Sequence, residues 1–233
     1  MAEFTHLMSP ITIRGKTYRN RILAAPTGFA AFLKTPFAKG TLSMLYDRAV
    51  GGQASVCLGE AMVCYPHGLS DDKGQIPIGP MDASGPDSPD YLLLKEAAEI
   101  IKREGALAFG ELNHPGASGT PFGEFSHPLG PVAYMREDGV EVRAFTQEDM
   151  NVVKAEFARH AAFLKEAGYD GVLIHGGHGF LFTQFLSPRE NTRTDEYGGS
   201  FENRIRYALE VVKAIKEAAP SLMIEYKLPF ITK

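Results

Sequence analysis

Two imidazoles stand three residues apart in His175-Gly176-Gly177-His178-Gly179-Phe180. The glycines between them leave a backbone that another group can approach closely. Two ring N–H groups aimed at one carbonyl oxygen would polarise it, as donors do where negative charge develops on oxygen. The same pair admits two other readings: a zinc pair, or a packed structural pair. Zinc sites of the HExxH kind need i, i+4 spacing on a helix with a glutamate between. Here the spacing is i, i+3 with no Glu, so no metal is expected. The packed structural pair stays open on this segment alone. Cys57 and Cys64 match no zinc spacing and read as buried free thiols of a reducing, cytoplasmic compartment. His6, His67, His127 and His160 show no convergent partners, and Phe29, Phe32 and Phe37 read equally as core or as a substrate mouth.

The paired histidines must be held by something regular, and the chain supplies an alternation of short apolar runs with longer amphipathic ones. Residues 11–18 read as a hairpin around Gly15-Lys16, and 21–25 as a first strand ending at Pro26. A helix over 41–50 closes at Gly51-Gly52, and a second strand covers 54–58. Ser88 caps a helix with Pro89 at its first position, the favoured place for proline. A third strand covers 106–112, and the loop over 113–145 is too rich in glycine and proline to be one element. Thr146 caps a helix whose Met150, Val153, Phe157, Ala161 and Leu164 share one face. The fourth strand, 171–175, delivers His175. Ser200 caps a last helix with an expected core stripe of Ile205, Ala208, Leu209, Val212 and Ile215, and a fifth strand covers 223–228.

Strands alternating with helices imply parallel βαβ units. Both a doubly wound sheet and a barrel fit that count. The barrel is favoured because the polar, aromatic loops follow strands 2, 3 and 4, where a site at the C-terminal rim would be built. After the first strand comes Pro26-Thr27-Gly28-Phe29, with no dinucleotide fingerprint. The net charge of −4 speaks against a nucleic-acid surface. No apolar run approaches the roughly 20 residues that cross a bilayer, so neither nucleic acid nor membrane is an expected partner.

Longer motifs carry a resemblance. Gln184-Phe185-Leu186-Ser187-Pro188, then Arg193-Thr194-Asp195-Glu196-Tyr197-Gly198-Gly199-Ser200, then Glu202-Asn203-Arg204 follow the HGGHGF segment in order. This region resembles the signature of the NADH:flavin oxidoreductase, or old yellow enzyme, family. The stretch 9–26 resembles that family's opening hairpin and first strand, and Glu111-Leu112-Asn113-His114-Pro115-Gly116 its segment on strand 3. The resemblance implies an α/β fold of the (β/α)8 TIM-barrel type with FMN at its C-terminal mouth, reduced by NADH or NADPH. It implies an ene-reductase, in which reduced flavin passes hydride to an α,β-unsaturated carbonyl compound and a protein acid protonates the neighbouring carbon. It places His175 and His178 on the substrate as the catalytic pair. Pro26, Thr27 and Gly28 would lie against the flavin ring, Glu111 at its pyrimidine end and Lys227 beside its N1 and C2 carbonyl.

Four residues depart from the pattern. Phe180 stands where many relatives carry a proton-donating tyrosine, and Gly28 where many carry Thr or Cys. Glu111 replaces an amide with a group that, ionised, only accepts hydrogen bonds. Lys227 replaces the two-pronged arginine. Phe180 keeps a second reading in view, an amine-oxidising or demethylating flavoenzyme of the same family. A third is an inactive barrel fragment that packs on a partner. Five strands are legible where such a barrel needs eight. Residues 1–233 are therefore expected to form a single, truncated FMN-binding barrel domain, a homo-oligomer or a chain lacking a C-terminal portion.

Overall fold

The computed structural model describes residues 4–27, 38–63, 85–119, 121 and 127–229. A short helix α1 (Thr5–Met8) leads into strands β1 (Ile11–Ile13) and β2 (Lys16–Tyr18), paired antiparallel. Arg14 and Gly15 both take positive φ, 46° and 79°, the primed-turn geometry whose twist matches that of the flanking strands. Then come β3 (Leu23–Ala24), α2 (Ala38–Val50), β4 (Ser55–Val63), α3 (Pro89–Arg103) and β5 (Leu107–Asn113). The segment expected as one long loop contains a 3-10 turn, Gly116–Ser118, and three short strands, β6 (Leu129–Gly130), β7 (Tyr134–Met135) and β8 (Glu141–Ala144), in a small sheet of their own. Helix α4 (Gln147–Glu166), β9 (Gly171–His175), α5 (Leu181–Leu186), α6 (Phe201–Ala218) and β10 (Met223–Lys227) complete the order.

The five parallel strands line up β10-β9-β5-β4-β3. Each lies beside the one before it along the winding. A doubly wound sheet reverses at a switch point; this one never does, so the sheet is wound in one sense, as a barrel is.

Alternation along each strand sorts side chains to two faces. Val56, Leu58, Ala108, Leu112, Val172, Ile174, Ile224 and Tyr226 pack outward against the helices, in one cluster with Leu45, Leu94, Ile101 and Phe157. Cys57, Phe109, Leu173 and Met223 face the concave side and pack on Tyr18, which the β1–β2 hairpin brings across the N-terminal end. The hairpin is tied there by Lys16, whose ammonium meets Asp170 at 2.9 Å. All five stripe residues of α4 are buried, and Met150, Val153, Phe157 and Leu164 each contribute about 1.5–3 kcal/mol of apolar burial. Thr146 and Asp149 form a reciprocal capping box at its start.

Four expectations need correction. The first strand is only Leu23–Ala24, and the second runs on to Val63 past a register shift between Leu58 and Met62. Helix α2 begins at Ala38, not residue 41. The stripe on α6 is rotated: the buried residues are Tyr207, Val211 and Ile215, while Leu209 is exposed. Ile205, Ala208, Leu209 and Val212 instead line an apolar groove of about 260 Å³ alongside Tyr226 of β10. Both faces of the helix are apolar, and periodicity alone does not say which one meets α4.

Candidate active site

The inward-facing residues of the strands become ionic toward their C-terminal ends. Register places Glu111 of β5 beside Leu173, and Lys227 of β10 beside His175. Glu111 is 1% exposed and His175 2%. His175 Nδ1 lies 2.7 Å from Glu111 Oε1. Lys227 Nζ donates to the same oxygen at 3.2 Å and stands 3.4 Å from His175 Nδ1. Three groups on three neighbouring strands thus share one centre. The far ring nitrogen, His175 Nε2, is buried and has no hydrogen-bond partner. Asn113, one residue past the pair formed by Leu112 and Ile174, stands at the same level, and its Oδ1 is likewise buried without a partner. Two orphaned buried polar atoms at one rim point to a ligand, since such atoms are rarely left unmet.

The turn after β9 brings the second imidazole over the first. The His175 and His178 ring centroids are 4.8 Å apart, and the Phe180 ring is 5.3 Å from His175. His178 takes φ +57°, an uncommon conformation for a residue other than glycine. Two contacts explain the fixed turn. A Cβ on Gly176 would fall 2.3 Å from the Tyr226 ring and 2.7 Å from the Lys227 carbonyl oxygen, so only glycine fits there. Gln184 of α5, buried, accepts from the Ala117 N–H at 2.9 Å and donates to the carbonyls of Gly179 (2.7 Å) and Pro115 (3.1 Å). It binds the loop after β5 to the loop after β9. Helix α5 and this role of Gln184 were not anticipated. A single buried amide in a short apolar helix was the available signal.

Pro26 and Thr27 stand at the same end of the sheet, on its opposite edge. Arg48 Nη2 donates to Thr27 Oγ1 at 3.2 Å, and a Cβ on Gly59 would meet Thr27 N at 2.5 Å. Gly28 lies outside the described residues, as do Cys64, Phe29, Phe32 and Phe37. The rest of the signature organises loops. Asn191 donates to the Phe185 and Tyr197 carbonyls, Arg193 to those of Pro131 and Phe145, and Arg204 to that of Leu186. Arg193 also holds the Asp195 carboxyl below the usual range. Cys57 is a buried thiol pushed well above its ordinary value, by burial first and then by nearby Glu111. No cluster of three metal-ligating side chains occurs among the described residues, and no helix there is long and apolar enough to cross a membrane.

Glu225, missed in the sequence, faces the same concave side one step below Lys227. It accepts from the Tyr18 hydroxyl at 3.2 Å. Burial raises its carboxyl above the usual range, with the Tyr18 hydrogen bond pulling the other way.

A singly wound parallel β/α sheet is that of an α/β barrel, and its cation, acid and imidazoles gather at the C-terminal strand ends, where the sites of such barrels are built. A sequence model of the NADH:flavin oxidoreductase / NADH oxidase family matches residues 6–232, and the chain belongs to that family. It is 33% identical over 232 residues to an NADH oxidase of Thermoanaerobacter brockii, covering 94% of this chain and 33% of that one. Among solved structures it resembles histamine dehydrogenase from Rhizobium sp. 4-9, with a TM-score of 0.81 and 29% identity over 96% of this chain and 32% of the other. It also resembles Old Yellow Enzyme from Pichia sp. AKU4542, with a TM-score of 0.77 and 27% identity over 95% of this chain and 59% of the other. The chain therefore spans between a third and three-fifths of the length of these proteins.

Proposed function

We propose that this chain carries the substrate-facing part of an FMN-dependent, NAD(P)H-consuming oxidoreductase of the ene-reductase type, acting on an α,β-unsaturated carbonyl compound. The observation that carries the reading is the Lys227–Glu111–His175 cluster at the C-terminal rim, with His175 Nε2 buried and unmet. The residues fit a flavin in kind. Lys227 is a cation with part of its side chain still accessible, Glu111 can accept from a ring N–H, and Pro26 offers an apolar surface at the same rim. Lys227 and Glu111 would hold one edge of the ring system, and Pro26 and Thr27 would lie against it.

When bound, the flavin supplies hydride chemistry that no side chain has. The protein's own part is binding and orientation. Lys227 offers positive charge, partly balanced by Glu111. His175 and His178 face the substrate from one turn, and the Phe180 ring packs on His175 and keeps water from it. Phe180 cannot give up a proton, so the proton that completes alkene reduction comes from solvent or another residue. That same residue favours a second reading, oxidation of a carbon–nitrogen bond, which needs no such donor. The likeness to histamine dehydrogenase supports it.

The test adds excess FMN to the purified protein under anaerobic conditions and follows flavin absorbance after NADH or NADPH. Bleaching beyond the protein-free control, then recovery on adding enones, supports the main reading. Bleaching by amines in place of NAD(P)H supports the second. No bleaching by either overturns both.

A further inference from the structure

We propose that Asn113 is a specificity-determining residue of this rim, accepting from an N–H that lies beside the carbonyl oxygen held by the imidazole pair, so that the site favours imides, lactams and primary amides. The inference rests on the reading above that His175 and His178 face a carbonyl ligand. Asn113 is the last residue of β5. Alternation turns it inward: Leu112 packs in the outer cluster, and Glu111 reaches His175 and Lys227 on the concave side. Register carries the level of Asn113 across to His175 of β9 and Lys227 of β10. The residue is 1% exposed, and its Oδ1 meets no hydrogen-bond partner.

A buried amide oxygen without a partner carries a cost that an apolar residue at the same place would avoid. The surroundings decide which end of the amide looks into the site. Lys227 is a cation and the imidazoles are ring N–H donors, so the oxygen is favoured there over the NH2 end. An oxygen takes up a donor. The imidazoles serve the ligand's carbonyl oxygen, and Lys227 donates to Glu111 at 3.2 Å. The donor that completes Asn113 is then supplied by the ligand. Neighbouring strands lie about 4.8 Å apart, so His175 and Asn113 reach adjoining atoms of one small molecule. An O=C–N–H edge with oxygen and hydrogen on the same side offers that pairing. Imides, lactams and primary amides have it. Open-chain secondary amides, whose N–H points away from the carbonyl oxygen, lack it. Simple enones still bind through the imidazoles and leave Asn113 unmet. Two molecules that meet a flavin could bring such an edge: an unsaturated imide or amide as substrate, and the nicotinamide coenzyme through its carboxamide.

The test measures binding, not turnover. Saturation-transfer NMR on the full chain with excess FMN, against a protein-free control, compares succinimide with N-methylsuccinimide, and nicotinamide with 3-acetylpyridine. Each pair keeps the carbonyl and loses the N–H. The expected result is an affinity about fivefold higher for the N–H member of at least one pair, the worth of one neutral hydrogen bond. Asn113→Leu, which keeps the branched shape, should abolish that preference and leave the urea midpoint in place, because Oδ1 holds nothing in the protein. Asn113→Ala repeats the measurement without the bulk of leucine. A preference within the succinimide pair assigns the N–H to the substrate, and one within the nicotinamide pair assigns it to the coenzyme. Equal affinities within both pairs, a preference that survives in both variants, or a large fall in the urea midpoint of both overturns the proposal. None of these measurements uses flavin reduction, so their failure and a failed bleaching experiment remain distinct results.

Discussion

Replacing Gln184 with Met should loosen the turn that carries His178 without changing the shape of the core. Both side chains are unbranched and of similar length, so little volume is lost. What disappears is hydrogen bonding. The Ala117 N–H loses its 2.9 Å acceptor, and leaving such a buried group unmet costs about 1–3 kcal/mol. The Gly179 carbonyl loses its 2.7 Å donor and keeps only a 3.4 Å contact with the Ser118 hydroxyl. The Pro115 carbonyl keeps the Ser118 N–H at 3.2 Å. Two weakened carbonyls add roughly 0.5–1 kcal/mol each, for a total near 3 kcal/mol. A domain of this size loses about 2–4 °C in Tm per kcal/mol, so the expected fall is about 6–12 °C. Urea unfolding and a thermal melt, followed by circular dichroism, measure both quantities. A loss below about 1 kcal/mol would show that the two loops are held together by something other than this amide.

Gly176→Ala should destabilise toward the upper end of the roughly 1–3 kcal/mol typical of overpacking, because the new methyl group meets the Lys227 carbonyl as well as the Tyr226 ring; an unchanged urea midpoint would refute the packing argument. Glu225 has a raised folded-state value, so the folded state holds its proton more tightly than the unfolded chain. Stability therefore falls as pH rises from the ordinary carboxylate range through the folded value, and Glu225→Gln should flatten that fall. Urea midpoints of both proteins across about pH 4 to about pH 8 check it, and a wild type that gains stability over the variant with rising pH would contradict it. Phe180→Tyr restores a hydroxyl at the ring edge beside His175. General acids contribute about 10²–10⁴-fold, so reoxidation of reduced flavin by enones should speed up at least about tenfold, with reduction by NAD(P)H unchanged. No acceleration across several enones would point to the carbon–nitrogen chemistry instead.

The sequence by itself settled much of this protein. Alternation of strands with helices, capping residues at Ser88, Thr146 and Ser200, and the stripe on α4 are local signals, and the structure has them where the residues say. The motifs around His175 were long enough to name the family. Burial pattern was less legible: α6 is apolar on two sides, and which side faces α4 follows from neighbours that lie far away in sequence. The site divided along the same line. That His175, Glu111 and Lys227 belong to one rim was readable from strand ends and from the resemblance. That they touch was not, because they are 52 to 116 residues apart along the chain. Only the register of β5, β9 and β10 brings them into one centre, and only that contact shows the glutamate facing a ring nitrogen. Hydrogen-bond polarity is a property of pairs, and the pairs here are made by the tertiary fold.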